Sequence, residues 1–129
     1  MELTIFLSQL FGIYALVGGF AILARRRYFL PIVGGFAEER LTRLVVAILE
    51  LLGGLALVLS HNVWGTLPEI IISLFGWGLV LEGAFYMLAS DDAVEALIKQ
   101  VNVPAWYWVG GVISLVVGAY LAAFGFGWL

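Results

Sequence analysis

Two acidic residues within apolar stretches are the first candidates for chemistry. Glu50 lies seven residues after Arg43, and Glu82 lies seven residues before Ala89. On helices that rise 1.5 Å per residue, both carboxyls would lie about 10 Å in from the same side of a membrane. An ionisable group in a transmembrane segment costs roughly 2.5–3.5 kcal/mol and marks a functional candidate by default. The sequence therefore predicts two polar positions at one depth.

Three interpretations of these carboxyls stay open. In the structural one, a protonated Glu is hydrogen-bonded across helices, for example Glu82 to Ser114 or to a Tyr, or the carboxyl reaches out to the interface. In the second, the carboxyls lie close together, do not ionise together easily, and handle a proton or a cation. In the third, they face a partner protein. The sequence favours the structural interpretation without excluding the others.

The other groupings of reactive residues do not indicate a catalytic or metal-binding site. His61 is the only histidine and falls in a loop near Glu69, so we expect a solvated loop residue and not a metal ligand. The chain has no Cys, which excludes disulfides and thiolate sites. Asp91 and Asp92 are expected to cap a helix. We therefore predict a protein that is not an enzyme and holds neither a cofactor nor a metal.

The composition indicates the elements that must carry these residues. Apolar residues make up 64%, aromatic residues 15% and charged residues only 12% of the 129 positions. These values exclude a soluble globular domain, a disordered chain and a nucleic-acid binder. Four apolar stretches approach the roughly 20 residues that a spanning helix needs, and they cover 3–24, 44–60, 70–89 and 106–129. Because they lack the alternation of barrel strands, we predict an all-α integral membrane four-helix bundle, with 1–129 as a single transmembrane domain.

The basic residues predict the orientation. All six lie in the two connections on one side of the predicted bundle, namely Arg25, Arg26, Arg27, Arg40, Arg43 and Lys99. The positive-inside rule places that side in the cytoplasm and both termini on the other side of a bacterial cytoplasmic membrane. The same side chains are candidates for contact with lipid headgroups, with an anionic-lipid site as the weaker alternative.

The two basic connections differ in their predicted structure. Asp92 followed by Glu95 has the spacing of a capping box. One face of the short helix that would follow is apolar and is made of Val94, Leu97, Ile98 and Val101. This pattern is typical of a helix that lies in the membrane interface. In the other connection, an apolar segment is expected to be broken by Pro31 and by the pair Gly34-Gly35.

When the chain is aligned with itself at a shift of 64 residues, the alignment indicates an internal repeat. Leu10-Phe11-Gly12 then falls on Leu74-Phe75-Gly76, and Trp64 falls on Trp128. We predict a tandem duplication with units 1–64 and 65–129, each a two-helix hairpin. Because each unit has an even number of spans, the hairpins would be parallel copies, unlike the inverted repeats of many transporters.

Small residues repeat at helical spacing in every span. Residues seven apart share a helix face, and small side chains let backbones approach closely in lipid. The pairs are Gly12 and Gly19, Ala47 and Gly54, Gly76 and Gly83, and Gly111 and Gly118. The last span adds a ridge at four-residue spacing, formed by Gly110, Ser114, Gly118 and Ala122. This ridge could contact another helix of the chain, the favoured alternative, or a second protomer.

The segment 74–125 resembles the small two-helix bacterial inner-membrane family of unknown function (YjeT-like). The residues that carry the resemblance are Gly76-Trp77-Gly78-Leu79-Val80-Leu81-Glu82-Gly83, then Gly111-Val112-Ile113-Ser114-Leu115 and Gly118. In that family a Glu-Gly pair ends the first helix and an Arg opens the second. Glu82-Gly83 matches the pair here, whereas Tyr107 or Trp108 stands at the Arg position.

In the first half of the chain, the Arg of the family pattern is matched and the Glu-Gly pair is not. Gly18-Gly19 replaces the Glu-Gly pair, and Arg43 stands where the family has its Arg. The resemblance therefore implies a fused duplication in which each half kept one member of a Glu–Arg pair. Because the family is often encoded near membrane-protease regulators, it also implies at most an accessory role.

These patterns together predict a non-enzymatic accessory or interaction protein of the membrane. Its partners would be the lipid bilayer and either another membrane protein or further copies of itself, and not nucleic acid. The alternative is a small oligomeric transporter or channel for protons or cations that uses Glu50 and Glu82. The spans contain few Ser, Thr or Asn residues to line a path, which favours the accessory role.

Overall fold

The computed structural model describes residues 2–129, apart from the side chain of Ala37. In chain order its helices are α1 (Glu2–Ala24), α2 (Arg26–Glu38), α3 (Arg40–Ser60), α4 (Leu67–Leu88), α5 (Asp91–Val101) and α6 (Pro104–Gly125). Every regular element of this described part is a helix, which confirms the predicted all-α class. Four of the helices, α1, α3, α4 and α6, are long and apolar enough to cross a membrane. The chain is therefore a multi-pass membrane protein.

The chain divides into two compact units. The first unit contains the residues up to Leu30 together with Val103–Leu129, and the second contains Pro31–Asn102. In the first unit α1 packs along α6, and in the second α3 packs along α4. Each pair thus takes one helix from each half of the chain. This pairing differs from the expected hairpins, which would join the spans within 1–64 and within 65–129.

Glycines bring the two helices of the first unit into backbone contact. A Cβ added at Gly12 would lie 2.5 Å from the backbone nitrogen of Ala122, and one at Gly118 would lie 2.8 Å from that of Leu16. Real side chains do not fit at such distances. The α1–α6 contact therefore depends on the absence of side chains at these positions.

In the second unit, glycines likewise bring the two helices into backbone contact. A Cβ at Gly54 would lie 2.7 Å from the backbone nitrogen of Val80, and one at Gly83 would lie 2.6 Å from that of Leu51. Ala47 is fully buried on the same face of α3. Small residues spaced by seven thus line the α3–α4 contact as they line α1–α6.

Gly110 departs from the predicted set of packing residues. It is exposed, and no heavy atom of the described residues lies within 4 Å of its added Cβ. Its neighbour Gly111 instead faces α1, where an added Cβ would meet Leu23 Cγ at 2.6 Å. One residue is a rotation of about 100° on a helix, which turns Gly110 away from the contact. The rest of the ridge, Ser114, Gly118 and Ala122, faces α1 of the same chain.

The first connection is a helix where a break was expected. α2 continues through Pro31 and the following glycines to Glu38. Proline disfavours a helix interior by about 3 kcal/mol. The segment after Pro31 is held by packing, because Val33 and Phe36 lie against the buried Val94 and Ile98 of α5.

The second connection contains the predicted amphipathic helix, with a different start. Ser90 is the N-cap of α5, and its hydroxyl accepts a hydrogen bond from the Ala93 backbone N–H at 3.2 Å. The predicted cap, Asp92, lies inside the helix. Val94 and Ile98 are buried against Phe85, Tyr86 and Ala89, which docks α5 at the end of α4.

Candidate functional site

The second unit brings the two predicted carboxyls together. Glu50 on α3 and Glu82 on α4 are close enough to interact electrostatically. Glu50 is half-buried; its Oε2 is buried, and no described residue donates a hydrogen bond to it. Glu82 is exposed on the lateral surface of α4. One carboxyl thus points into the helix pair, while the other lies at its surface.

Tyr86 is a member of this site that the sequence analysis did not single out. It follows Glu82 by one helical turn, and its side chain is hydrogen-bonded to that carboxyl. Its ring packs edge-on against Phe36, with centroids 5.3 Å apart. The four-residue spacing of Glu82 and Tyr86 is a signal that could have found the pair.

Ser114, the other hydrogen-bond partner considered for Glu82, has a different role. It lies on α6 in the first unit, and its hydroxyl donates to the backbone carbonyl of Ala15 on α1 at 2.7 Å. Ser114 therefore fastens α6 to α1, and the tyrosine is the hydrogen-bonding partner of Glu82.

A buried arginine lies near the end of the same helix pair. Arg43 is only 6% exposed, and its Nη2 lies 2.6 Å from Oδ1 of Asp91. Arg40 Nη2 approaches the other carboxyl oxygen of Asp91 at 3.1 Å. The hydrogen bond from Arg43 holds the pKa of Asp91 below its ordinary value, and the charge of Arg40 adds to the effect. Arg43 is thus an internal ion-pair partner and not a freely exposed headgroup ligand.

A cavity of about 330 Å³ joins the tyrosine to the ion pair. It is lined by Arg40, Arg43, Leu44, Tyr86, Met87, Ala89 and Asp91. Because Tyr86 also contacts Glu82, polar groups continue from the end of the helix pair towards the two carboxyls. The arrangement can bind a polar partner or relay a proton over part of the span.

The other basic residues lie at helix ends. Arg25 stacks over the ring of Tyr28 at 4.2 Å, and Arg26 lies 5.0 Å from the ring of Trp108. Arg27 and Lys99 are exposed. Contact of these four side chains with lipid headgroups stays a prediction.

The prediction of a solvated His61 is wrong. Its side chain is 2% exposed, and its Nδ1 lies 3.3 Å from the hydroxyl oxygen of the fully buried Ser73. That hydroxyl donates to the Val63 carbonyl at 2.7 Å, so the chain after α3 folds back onto α4. Glu69 accepts from the backbone N–H and the hydroxyl of Thr66 instead. Within residues 2–129, no group of three metal-binding side chains is placed to hold an ion.

Comparisons with protein-family models, with curated proteins and with solved structures return no match. The resemblance to the YjeT-like family therefore stays a prediction from the residues.

Proposed function

We propose that this chain is a non-enzymatic accessory protein of a bacterial cytoplasmic membrane that binds another membrane protein within the bilayer. The observation that carries the proposal is Glu82, a carboxyl exposed on the lateral surface of α4. A carboxyl that faces lipid is costly, whereas a donor on a protein partner offsets that cost. The exposed position therefore favours a protein neighbour.

The limited burial of the spans is compatible with the same proposal. Less than a third of each apolar span is buried within the chain. Long apolar rows remain uncovered, such as Leu52, Leu55 and Leu59 on α3. Lipid covers such rows adequately, so they leave room for a partner without requiring one.

The test is purification from the native membrane in mild detergent, with mass spectrometry of the proteins that remain bound. We expect a stoichiometric second protein with the native chain, and its loss with Glu82→Gln. Glu2→Gln is the control, because Glu2 is an exposed carboxyl at the far end of α1. A homogeneous preparation with no companion in either case would contradict the proposal.

A second candidate is proton or cation transport through Glu50 and Glu82. It is supported by their proximity and by the polar groups that lead from Tyr86 to the cavity beside Arg43. In proteoliposomes, Glu50→Gln and Glu82→Gln would each abolish a flux while the protein stays folded. If the wild-type protein conducts no proton or monovalent cation, this candidate fails.

We also propose that the chain is a duplication with the 64-residue register. Three close contacts of α1 with α6 have counterparts at equivalent positions of α4 and α3. These are Gly12–Ala122 and Gly76–Val58, Gly19–Leu115 and Gly83–Leu51, and Gly118–Leu16 and Gly54–Val80. Unrelated helix pairs would have no reason to share one register. The two pairs therefore support copies of one unit that exchanged partners between halves.

A further inference from the structure

One face of α4 carries a groove of about 410 Å³. It is lined by Ile71, Leu74, Phe75, Gly78, Leu79 and Glu82. Glu82 is its ionisable residue, six residues before the end of α4 at Leu88. That places the carboxyl about 9 Å from the end of the helix that leads to α5.

Gly78 makes the floor of this groove bare backbone. Within the described part of the chain, no heavy atom lies within 4 Å of a Cβ added there. The other glycines of α4, Gly76 and Gly83, are filled by side chains or backbone of α3. Gly78 therefore offers an unused position for close helix approach, the kind that small residues provide in membranes.

Glu82 lies one turn after Gly78, so both share a face of α4. Acyl chains can fill the apolar part of the groove, but they offer no hydrogen-bond donor to a carboxylate. Tyr86 supplies one hydrogen bond, whereas the two oxygens of a carboxyl group can accept further ones. The recorded ion pairs of Arg40 and Arg43 are both with Asp91, and none of the described ion pairs is with Glu82.

We propose that this groove binds a transmembrane helix of a different protein that carries an arginine or a lysine level with Glu82. The inference rests on the proposed accessory function and names the surface and the partner's chemistry. A second copy of this chain fits less well. All six of its basic residues lie near helix ends or in connections, and none lies 9 Å inside a span.

The test uses a synthetic polyleucine helix of about 22 residues with one arginine about six residues from its end. Binding to the full-length protein is measured by energy transfer in bicelles, against the same helix without arginine. We expect the arginine helix to bind about tenfold more tightly, the size of one polar contact between membrane helices. Glu82→Gln should remove that preference.

Two leucine variants distinguish binding in the groove from a general effect of a larger side chain on the protein. Gly78→Leu fills the floor and should weaken both synthetic helices. Gly53→Leu is the matched control, because Gly53 on α3 also has open space at its Cβ position. It should leave binding unchanged.

Equal affinity of the two synthetic helices, or equal loss with Gly53→Leu, would overturn the proposal. Energy transfer between two labelled copies of this chain that Gly78→Leu abolishes would overturn it too, since the occupant would then be a second copy. A native companion that still co-purifies with Gly78→Leu would reject the groove and leave the accessory function standing. Preference for the arginine helix without any native companion would support the groove and reject the accessory function.

Discussion

At the scale of single residues, Arg43 and Asp91 hold two segments of the second unit together. The arginine is buried on α3, whereas the carboxyl is half-exposed at the first turn of α5. Removing one partner of a buried ion pair leaves the other charge without compensation, which is strongly destabilising. The pair therefore matters chiefly through the cost of breaking it.

We expect Asp91→Asn to lower the melting temperature in detergent, because the buried Arg43 then loses its counter-charge. The tryptophan fluorescence of the purified protein reports the transition. Arg40→Gln is the control, since the Arg40 side chain is 83% exposed and surface ion pairs contribute little. Equal effects of the two substitutions would show that burial of Arg43 is not the cause.

The same carboxyl predicts a pH dependence. Its pKa is lower in the folded protein than the ordinary value of 3.8, so the folded state binds the proton less well than the unfolded state. Its contribution to stability is therefore fully present above about pH 4 and is lost as the pH falls through the lowered pKa. Between pH 7 and pH 3, the difference in melting temperature between the native chain and Asp91→Asn should narrow at the acidic end. A difference that stays constant would contradict the assignment.

The sequence identifies the residues of the candidate site only in part. Glu50 and Glu82 stand out because charges are rare in apolar stretches. Tyr86 does not, because a tyrosine near a helix end is also typical of an interfacial anchor. His61 is missed for another reason: burial of a loop residue depends on how the loop folds back, and Ser73 gives no sign of this in the sequence.

At the scale of the helix, neighbouring glycines have opposite surroundings. Gly54 faces the backbone of α4, whereas Gly53 faces open space. A side chain added at Gly54 would therefore disturb the α3–α4 contact, whereas a side chain added at the adjacent Gly53 would not.

Gly54→Ala should destabilise the protein by about 1–3 kcal/mol, because its Cβ would force α3 and α4 apart. Gly53→Ala should leave stability unchanged or raise it by a few tenths of a kcal/mol to about 1 kcal/mol, since alanine favours a helix over glycine. Unfolding in mixed detergent micelles measures both. A comparable loss for the two variants would show that the α3–α4 contact is not where the structure has it.

The elements are more predictable than their ends. The four spans and α5 follow from hydropathy and apolar periodicity, which are read directly from the sequence. The helix through Pro31 does not, because packing of Phe36 on α5 outweighs the local preference of proline. α5 begins earlier than predicted, because Ser90 is its N-cap and the Ser90 hydroxyl accepts a hydrogen bond from the Ala93 backbone N–H.

At the scale of the whole molecule, the pairing of the helices differs from the hairpins that the sequence analysis expected within 1–64 and within 65–129. The 64-residue register is visible in the positions of Gly12 and Gly76. That register is compatible with helix pairs within each half of the chain and with pairs between the halves, because both arrangements use the same small residues. The α1–α6 and α3–α4 pairs each join a helix of the first half to a helix of the second half.

Cross-linking tests this pairing. Because the chain has no native cysteine, any disulfide must form between the introduced cysteines. Ala15→Cys with Ser114→Cys should form a disulfide, because the Ser114 hydroxyl lies 2.7 Å from the Ala15 carbonyl. The equivalent positions, Leu79→Cys with Glu50→Cys, should do the same. Mass spectrometry of digested protein detects both. A cross-link between Ala15→Cys and Glu50→Cys instead would indicate hairpins within each half.

The proposed orientation has its own test. Single cysteines at Glu2 and Leu129 should react with an impermeant maleimide from outside the cell, since the basic connections are proposed to face the cytoplasm. A cysteine at Lys99 should react only after the membrane is opened. Labelling of Lys99→Cys in intact cells would reverse the assignment.

The division of the chain has a consequence for biosynthesis. The second unit is one continuous segment, Pro31–Asn102, whereas the first is interrupted by it. α1 leaves the ribosome first, yet its partner α6 begins only at Pro104, roughly 80 residues after Ala24. At 5–20 residues per second, α1 waits about 4–16 seconds in the membrane with its glycine face unpaired. During that interval the nascent chain depends on lipid or on the insertion machinery to shield the face.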